Sequence, residues 1–347
     1  MQSTKQELLE LTKLFLNRAD LIQGPGGNTS VKSEDGSMFI KASGFRFDEM
    51  SLTKGISAVN STNIAKYFFS VEPLDKVEEE KTMLGVIADN ILTDTDGNIF
   101  PKPSMETGFH AILEKYVIHT HSVWTNLINC AQEKTSLIEK LKQKTGLQIE
   151  ILPFVSPGFG LSFLIAKILK QNASSGIRRP DVFFLSNHGI ISHAQSIELC
   201  QDQLFKIDLA IKDLLNIKIE YPSIELKEEA LQWIPQSSFV NGVLSKYQCQ
   251  SDFFNQVLFP DQTVFFKDQI AYDSIETNRK IHISKQKQIS YNCNSREAGS
   301  IHETMTAYLF IYDFMHSNNI PIELIGDSEI DYINNMEMEK YRKKIQN

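Results

Sequence analysis

Two histidines flank one threonine at positions 119–121, inside EKYVIHTHSVWTNLINC. The residues just before them favour a strand, and side chains alternate along a strand, so His119 and His121 face the same way. Two imidazoles on one face make half of a metal site, because zinc takes three or four ligands and neutral imidazole is a common one. An HxH pair also arises by chance on a solvent-facing strand edge, so further donors have to be found. His188 ends the apolar run DVFFL in SNHGII, with a glycine behind it that lets the chain turn away. It is either a third ligand or a plain strand-end histidine. Glu106 lies in PSMET, in the first turn of a helix that leads into VIHTH. The helix dipole alone favours a carboxylate there. The same position lets it reach a metal held by the next strand, as fourth ligand at rest and general base when substrate displaces it.

Three corners rich in glycine or hydroxyl groups accompany these residues: GGNTS (26–30), KASG (41–44) and PSMET (103–107). Each offers backbone N–H groups and a short polar side chain, the usual materials of a phosphate cradle. Each is equally a generic turn or cap.

The elements that must position them follow from periodicity. A helix is expected over 3–18, with Leu8, Leu11, Leu14 and Phe15 on its buried face. Gly24, Gly26 and Gly27 interrupt regular structure through residue 30, and Asp35-Gly36 turns a hairpin between strands at 30–32 and 37–43. Residues 74–92 carry no decisive pattern. PKPSMETGFHAILEKY reads as a helix with Ser104 as N-cap, VIHTH as a strand and SVWTNLINCAQ as a helix. ILPFVSPG is a strand, LSFLIAKILKQN a helix, DVFFLSNHGIIS a strand–turn–strand, and SIELCQDQLFKIDLAIKDLLNIK a long amphipathic helix. This alternation, running to about residue 218, predicts a layered α/β domain. Past about 235 the texture changes. QKQISYNCNSREAGS is polar and poorly patterned, and ETMTAYLFIYDFMHSNN is a strong helix. The expected division is a catalytic domain over 1–235 and an extension over 236–347 packed on it.

Composition narrows the function. The 347 residues are 41% apolar and 22% charged, with a net charge of −8. No global positive field exists to hold phosphate backbones, so nucleic acid is not the expected partner. Tyr341-Arg342-Lys343-Lys344 reads as the solvated end of a C-terminal helix. No apolar run approaches the ~20 residues of a membrane span, and no membrane partner is expected. The N-terminus has the pattern of an amphipathic helix rather than a signal peptide, which predicts a cytoplasmic protein. The four cysteines are far apart and form no CxxC, against a disulfide framework or a cysteine zinc site.

The order of the motifs adds more than any one of them. GGNTSVK, IKASG, KPSMETGFH, HTH and NHG together resemble the class II aldolase/adducin family over roughly residues 5–215. The wording is most similar to the aldolase part of bacterial rhamnulose-1-phosphate aldolase/dehydrogenase-type proteins, and FPDQTVFF (259–266) and NMEMEKYRK (335–343) are similar to their tails. The resemblance implies a layered α/β/α fold with a central, largely antiparallel sheet. It implies that His119, His121 and His188 hold Zn2+ or another divalent metal. Glu106 would alternate between metal ligand and catalytic acid/base, and Gly27, Asn28, Ser43, Gly44 and Ser104 would cradle a phosphate. The implied activity is an aldolase that cleaves or forms a ketose 1-phosphate through a metal-bound enediolate of dihydroxyacetone phosphate. A small phosphorylated sugar or ketose is then the partner, and the assembly a homo-oligomer, by resemblance a tetramer. Epimerases, dehydratases and decarboxylases of the superfamily share these residues. A non-catalytic, adducin-like binding protein is expected to lack a ligand or the base, and none is lacking. Two features depart from simpler aldolases. The Glu106–His119 interval is shorter than in the fuculose-phosphate type, and a tyrosine that helps protonate the aldehyde oxygen is missing near Pro153-Phe154. His110 is expected to be structural or to support Glu106. His193, His282, His302 and His316 are expected to be solvated or core residues.

Overall fold

Local chemistry sets the strands around the site. The Asp35 carboxylate accepts the Ser37 N–H at 2.9 Å and closes the turn between β1 (Asn28–Lys32) and β2 (Ser37–Lys41). Further along come β3 (Ile56–Asn60), β4 (Tyr116–Thr120), β5 (Ile149–Leu152), β6 (Val182–Leu185) and β7 (Gly189–Ala194). The computed structural model describes residues 2–72, 76–248, 251–273 and 278–336. Within it these strands form one seven-stranded sheet in the order β3-β2-β1-β4-β7-β6-β5. Every neighbouring pair is antiparallel except β5 and β6.

Alternation along the strands divides the apolar residues between two cores. Val31, Phe39, Ile118, Phe184 and Ile190 face one side, under the helices Gln2–Lys13, Val123–Asn129, Lys134–Thr145, Ile197–Leu214 and Ser295–Ser317. Met38, Ile40, Val117, Phe183 and Ile191 face the other, under Ser61–Ser70, Lys76–Asp89, Thr107–Ile112 and Phe159–Ser174. The result is the expected α/β/α sandwich. Each fully buried Leu, Ile or Phe contributes about 1.5–3 kcal/mol, so a sheet covered on both faces is a rigid platform for a site at the ends of its central strands.

A second, five-stranded sheet follows: β8 (Leu226–Glu229), β9 (Gln232–Pro235), β10 (Ile270–Tyr272), β11 (Ile281–Ile283) and β12 (Ile289–Tyr291), ordered β10-β11-β12-β9-β8. Two of its strands precede residue 236, while the rest of the sheet follows it. The helix Ser295–Ser317 then returns to the first sheet, where Trp124 meets Phe310 edge-on with ring centres 5.4 Å apart. Among the described residues, no helix is long and apolar enough to cross a membrane.

Several boundaries differ from expectation. The first helix stops at Lys13, and Asn17 turns the chain at φ 58°, so Leu14 is 45% exposed while Leu8, Leu11 and Phe15 are buried. The glycine-rich stretch joins the sheet earlier than expected, at Asn28. Residues 76–89 are helical. The strand in ILPFVSPG ends at Leu152. QKQISYNCNSREAGS holds β12 and the start of a long helix. His193 and His302 are core residues, and His316 is exposed. Cys130, Cys200 and Cys293 are free thiols. Cys249, the NMEMEKYRK stretch beyond Met336 and the cluster at 341–344 lie outside the described residues.

Candidate active site

Sheet register explains how distant motifs meet. Asn28 on β1 stands opposite His119 on β4, and His119 stands opposite Ile191 on β7. Directly paired residues in antiparallel strands point to the same face, so Asn28 and His119 rise side by side. His121 lies just past the end of β4, and its Nε2 comes within 3.1 Å of His119 Nε2. His188 sits in the turn between β6 and β7, its ring centre 4.9 Å from that of His119 and 5.0 Å from that of His121. One nitrogen from each ring can be chosen so that all lie within 4.8 Å of one another, and all three residues are buried.

The outer nitrogens fix the rings. His119 Nδ1 donates to Ile190 O at 3.0 Å, and His121 Nδ1 donates to Asp261 Oδ2 at 2.5 Å. Both rings therefore turn Nε2 inward. Burial pulls the His119 pKa down to about 4, with the Glu106 charge opposing and His121 adding to the shift. His119 is thus neutral, as a ligand must be.

Glu106 completes the cluster. Its Oε2 is 3.5 Å from His119 Nε2 and its Oε1 is 3.6 Å from His188 Nε2. The structure corrects the expected helix start. The helix runs from Thr107 to Ile112, so Glu106 is at its N-cap position and Ser104 lies outside it. The Ser104 hydroxyl instead accepts the Glu106 N–H at 3.2 Å and an Asn28 N–H at 3.1 Å. The hydroxyl thus serves a local and a distant donor at once.

Asn28 aims the carboxylate. Its Nδ2 donates to Glu106 Oε2 at 2.7 Å, which leaves Oδ1 to accept from His110 Nε2. Burial first, then the charges of His119 and Lys32, hold the His110 pKa well below its ordinary value. The neutral ring then has Nδ1 as acceptor for the Ser30 hydroxyl at 2.7 Å. Asn28 and Ser30, two apart on β1, thus share one histidine, and the amide cannot flip. His110 is the support that the sequence suggested. Glu106 Oε1 is buried with no hydrogen-bond partner among the described residues.

Glycines bring the backbone close. Gly27 has φ +59°, and a Cβ there would lie 2.8 Å from His119 O. Gly189 faces Thr120 O so closely that a Cβ would collide with it. Asn187 takes the left-handed conformation before them, at φ 54°, and its Nδ2 donates to Leu258 O at 3.0 Å and Glu323 O at 2.8 Å. Gly189→Ala should therefore push the His188 turn off β4. A loss of about 1–3 kcal/mol, with reduced metal occupancy, is expected from denaturant melts and metal analysis.

Gly27, Asn28, Ser43, Gly44, Ser104, Glu106, His121 and His188 line one cleft. His119 is fully buried and does not line the cleft; it reaches the site through His121, Nε2 to Nε2 at 3.1 Å. Sequence reasoning passed over Lys41, which lines the same cleft, is 2% exposed, and donates to Pro25 O at 2.9 Å and Phe45 O at 2.7 Å. It also passed over three residues beyond position 235. Asp261 holds His121, Glu303 Oε2 accepts the Gly24 N–H at 2.6 Å, and Arg296 donates to Gly44 O at 2.8 Å. FPDQTVFF was a visible signal for Asp261, but nothing local told which histidine it meets.

Behind the site, Ser122 caps the helix that follows HTH and donates to Asp208 Oδ1 at 3.1 Å. Burial lifts Asp208 to about 7, against the Ser122 hydrogen bond and with help from the Asp20 charge. The folded pKa lies above the unfolded one, so the folded state holds the extra proton between them. Stability then falls as pH rises from about 4 to about 7 and stays reduced above. Asp208→Asn should match the wild type near pH 4 and exceed it at pH 8 by roughly 2–4 kcal/mol, as read from urea titrations at both values.

Comparison with known proteins agrees with this layout. The family model described as Class II Aldolase and Adducin N-terminal domain matches residues 6–214. None of the curated proteins matches the sequence significantly. Solved structures include the N-terminal class II aldolase domain of a conserved protein from Thermoplasma acidophilum. It is 21% identical, with 60% of this chain and 92% of that one covered and a TM-score of 0.49. A sugar-phosphate aldolase from Thermotoga maritima is 18% identical, covering 62% and 95%, with a TM-score of 0.43. L-fuculose 1-phosphate aldolase from Glaciozyma antarctica PI12 is 10% identical, covering 91% of each chain, with a TM-score of 0.39. With residues 6–214, more than half of the chain, matched by the family model, this protein belongs to the class II aldolase and adducin family.

Proposed function

We propose that the protein is a metal-dependent lyase, a class II aldolase acting on a ketose 1-phosphate. The observation that carries this reading is the buried Glu106 carboxylate, aimed by Asn28 at the point where three histidines converge. A divalent cation fits that point. The donor set is imidazole nitrogen with a nearby carboxylate, which suits zinc. Two imidazole Nε2 atoms meet there 3.1 Å apart, and the buried Glu106 Oε1 has no hydrogen-bond partner among the described residues. His119, His121 and His188 would hold the ion. When bound, it supplies Lewis-acid stabilisation of charge that develops on substrate oxygens.

The remaining steps belong to the chain. The backbone at Gly27 and Gly44, with the Ser43 and Ser104 hydroxyls, binds the phosphate end, while the Asn28 side chain, whose two N–H groups go to Glu106 and Ser104, stays with the carboxylate. Glu106 moves a proton at C3 of dihydroxyacetone phosphate: it removes one for synthesis and returns one after cleavage. Asn28 keeps the carboxylate in one orientation through both halves. At 5% exposure Glu106 is shielded from water, as a proton carrier beside a carbanion must be.

The test is the half-reaction. Metal-loaded protein is incubated with dihydroxyacetone phosphate in D2O, and C3 proton exchange is followed by NMR. Exchange that requires the metal supports the reading and leads to an aldehyde screen. No exchange with metal bound and an aldehyde mixture present overturns it in favour of epimerase, dehydratase or decarboxylase chemistry.

A further inference from the structure

We infer that Asp261 is a positioning residue for the metal site, which makes the C-terminal extension a working part of the active centre rather than an appendage. The inference rests on the metal-site reading above. Asp261 lies in the short helix Pro260–Phe265, outside the span matched by the family model. It is 1% exposed and lines the same cleft as Glu106. Its Oδ2 accepts from His121 Nδ1 at 2.5 Å. The opposite wall is shaped to admit this pair. A Cβ on Gly26 would lie 3.0 Å from both Asp261 Oδ2 and His121 Nδ1.

A carboxylate on the outer nitrogen does three things to a ligand histidine. It selects the tautomer with Nε2 free, it locks the ring angle, and it makes Nε2 more basic, so a cation is held more tightly. His119 has a neutral carbonyl in the equivalent place, at Ile190 O. Asp261 therefore adds the charged partner behind the metal-facing rings. The extension reinforces the arrangement elsewhere. Glu303 holds Gly24 and pairs with Arg46 at 2.6 Å, and Arg296 holds Gly44 and pairs with Glu49 at 2.8 Å. The Asn187 side chain ends on two backbone carbonyls of the extension. Gly24, Gly44, His121 and the NHG turn are each tied to residues beyond 235.

The experiment uses full-length protein, Co2+ as a visible probe, and the variants Asp261→Asn and Asp261→Ala. Affinity is read by chelator competition, geometry by the Co2+ absorption bands, and folding by melting of the metal-free proteins. The expected result is a loss of Co2+ affinity of about 10–100-fold in Asp261→Ala and a smaller loss in Asp261→Asn. Both should show altered bands, with metal-free melting close to the wild type. Unchanged affinity and bands in both variants overturn the inference and leave the three-histidine site standing. Metal-free variants that melt far below the wild type also overturn it, because Asp261 is then a packing residue. A wild type that takes up no Co2+ defeats the metal-site reading itself.

Discussion

Glu106→Gln should bind metal like the wild type and lose about 10²–10⁴-fold in turnover, the contribution of one placed general base. The variant isolates proton transfer because the rest of the site survives it. Glutamine keeps the shape and can still accept the Asn28 amide N–H that the carboxylate accepts at 2.7 Å. The histidine rings are fixed by Ile190 O and Asp261, not by residue 106. What disappears is the capacity to take a proton. The loss should fall on kcat, since the phosphate corners are untouched, and C3 exchange in D2O should fall in parallel. A variant that exchanges at the wild-type rate would assign the base to another group. A variant that loses its metal would make Glu106 a ligand first.

What could be read from the sequence divides by distance along the chain. The HTH strand, the glycine corners and the NHG turn depend on neighbours within a few residues, so alternation and turn chemistry located them. Ser104 shows where that logic stops. Pro-Ser before an apolar helix is a normal cap signal, yet its hydroxyl is shared between the Glu106 N–H and Asn28, 76 residues away. The helix starts at Thr107, with Glu106 at its N-cap. The same holds for the supports of the site. Asp261 is 140 residues from His121, and Glu303 is 279 from Gly24. Neither has a local pattern that names its partner. Lys41 was hidden for another reason. A lysine in a strand normally reads as solvated, and its burial follows from two carbonyls, Pro25 O and Phe45 O, that only the folded corners bring together. The texture change past residue 235 was visible, but its meaning lay in contacts that cross back to the first sheet.

His188→Ala should abolish tight metal binding while leaving the metal-free fold nearly intact. One of three imidazoles is removed, so affinity should fall by more than about 100-fold, beyond the effect of losing a supporting hydrogen bond. The fold tolerates the change because the turn is anchored by other groups. Asn126 Nδ2 donates to His188 O at 3.2 Å, Asn129 Nδ2 donates to Gly189 O at 2.9 Å, and the Asn187 side chain ties into the extension. The backbone carries the turn and the ring carries the ion. Linkage makes the difference measurable without substrate. A ligand at 1,000 times its Kd stabilises the folded state by about 4.1 kcal/mol, so chelation should destabilise the wild type by about that much when it was saturated beforehand. The variant should melt at one temperature with or without chelator, close to that of the metal-free wild type. A variant that still gains stability from the metal would show that His119, His121 and Glu106 suffice to hold it, and would move His188 from the ion to the substrate.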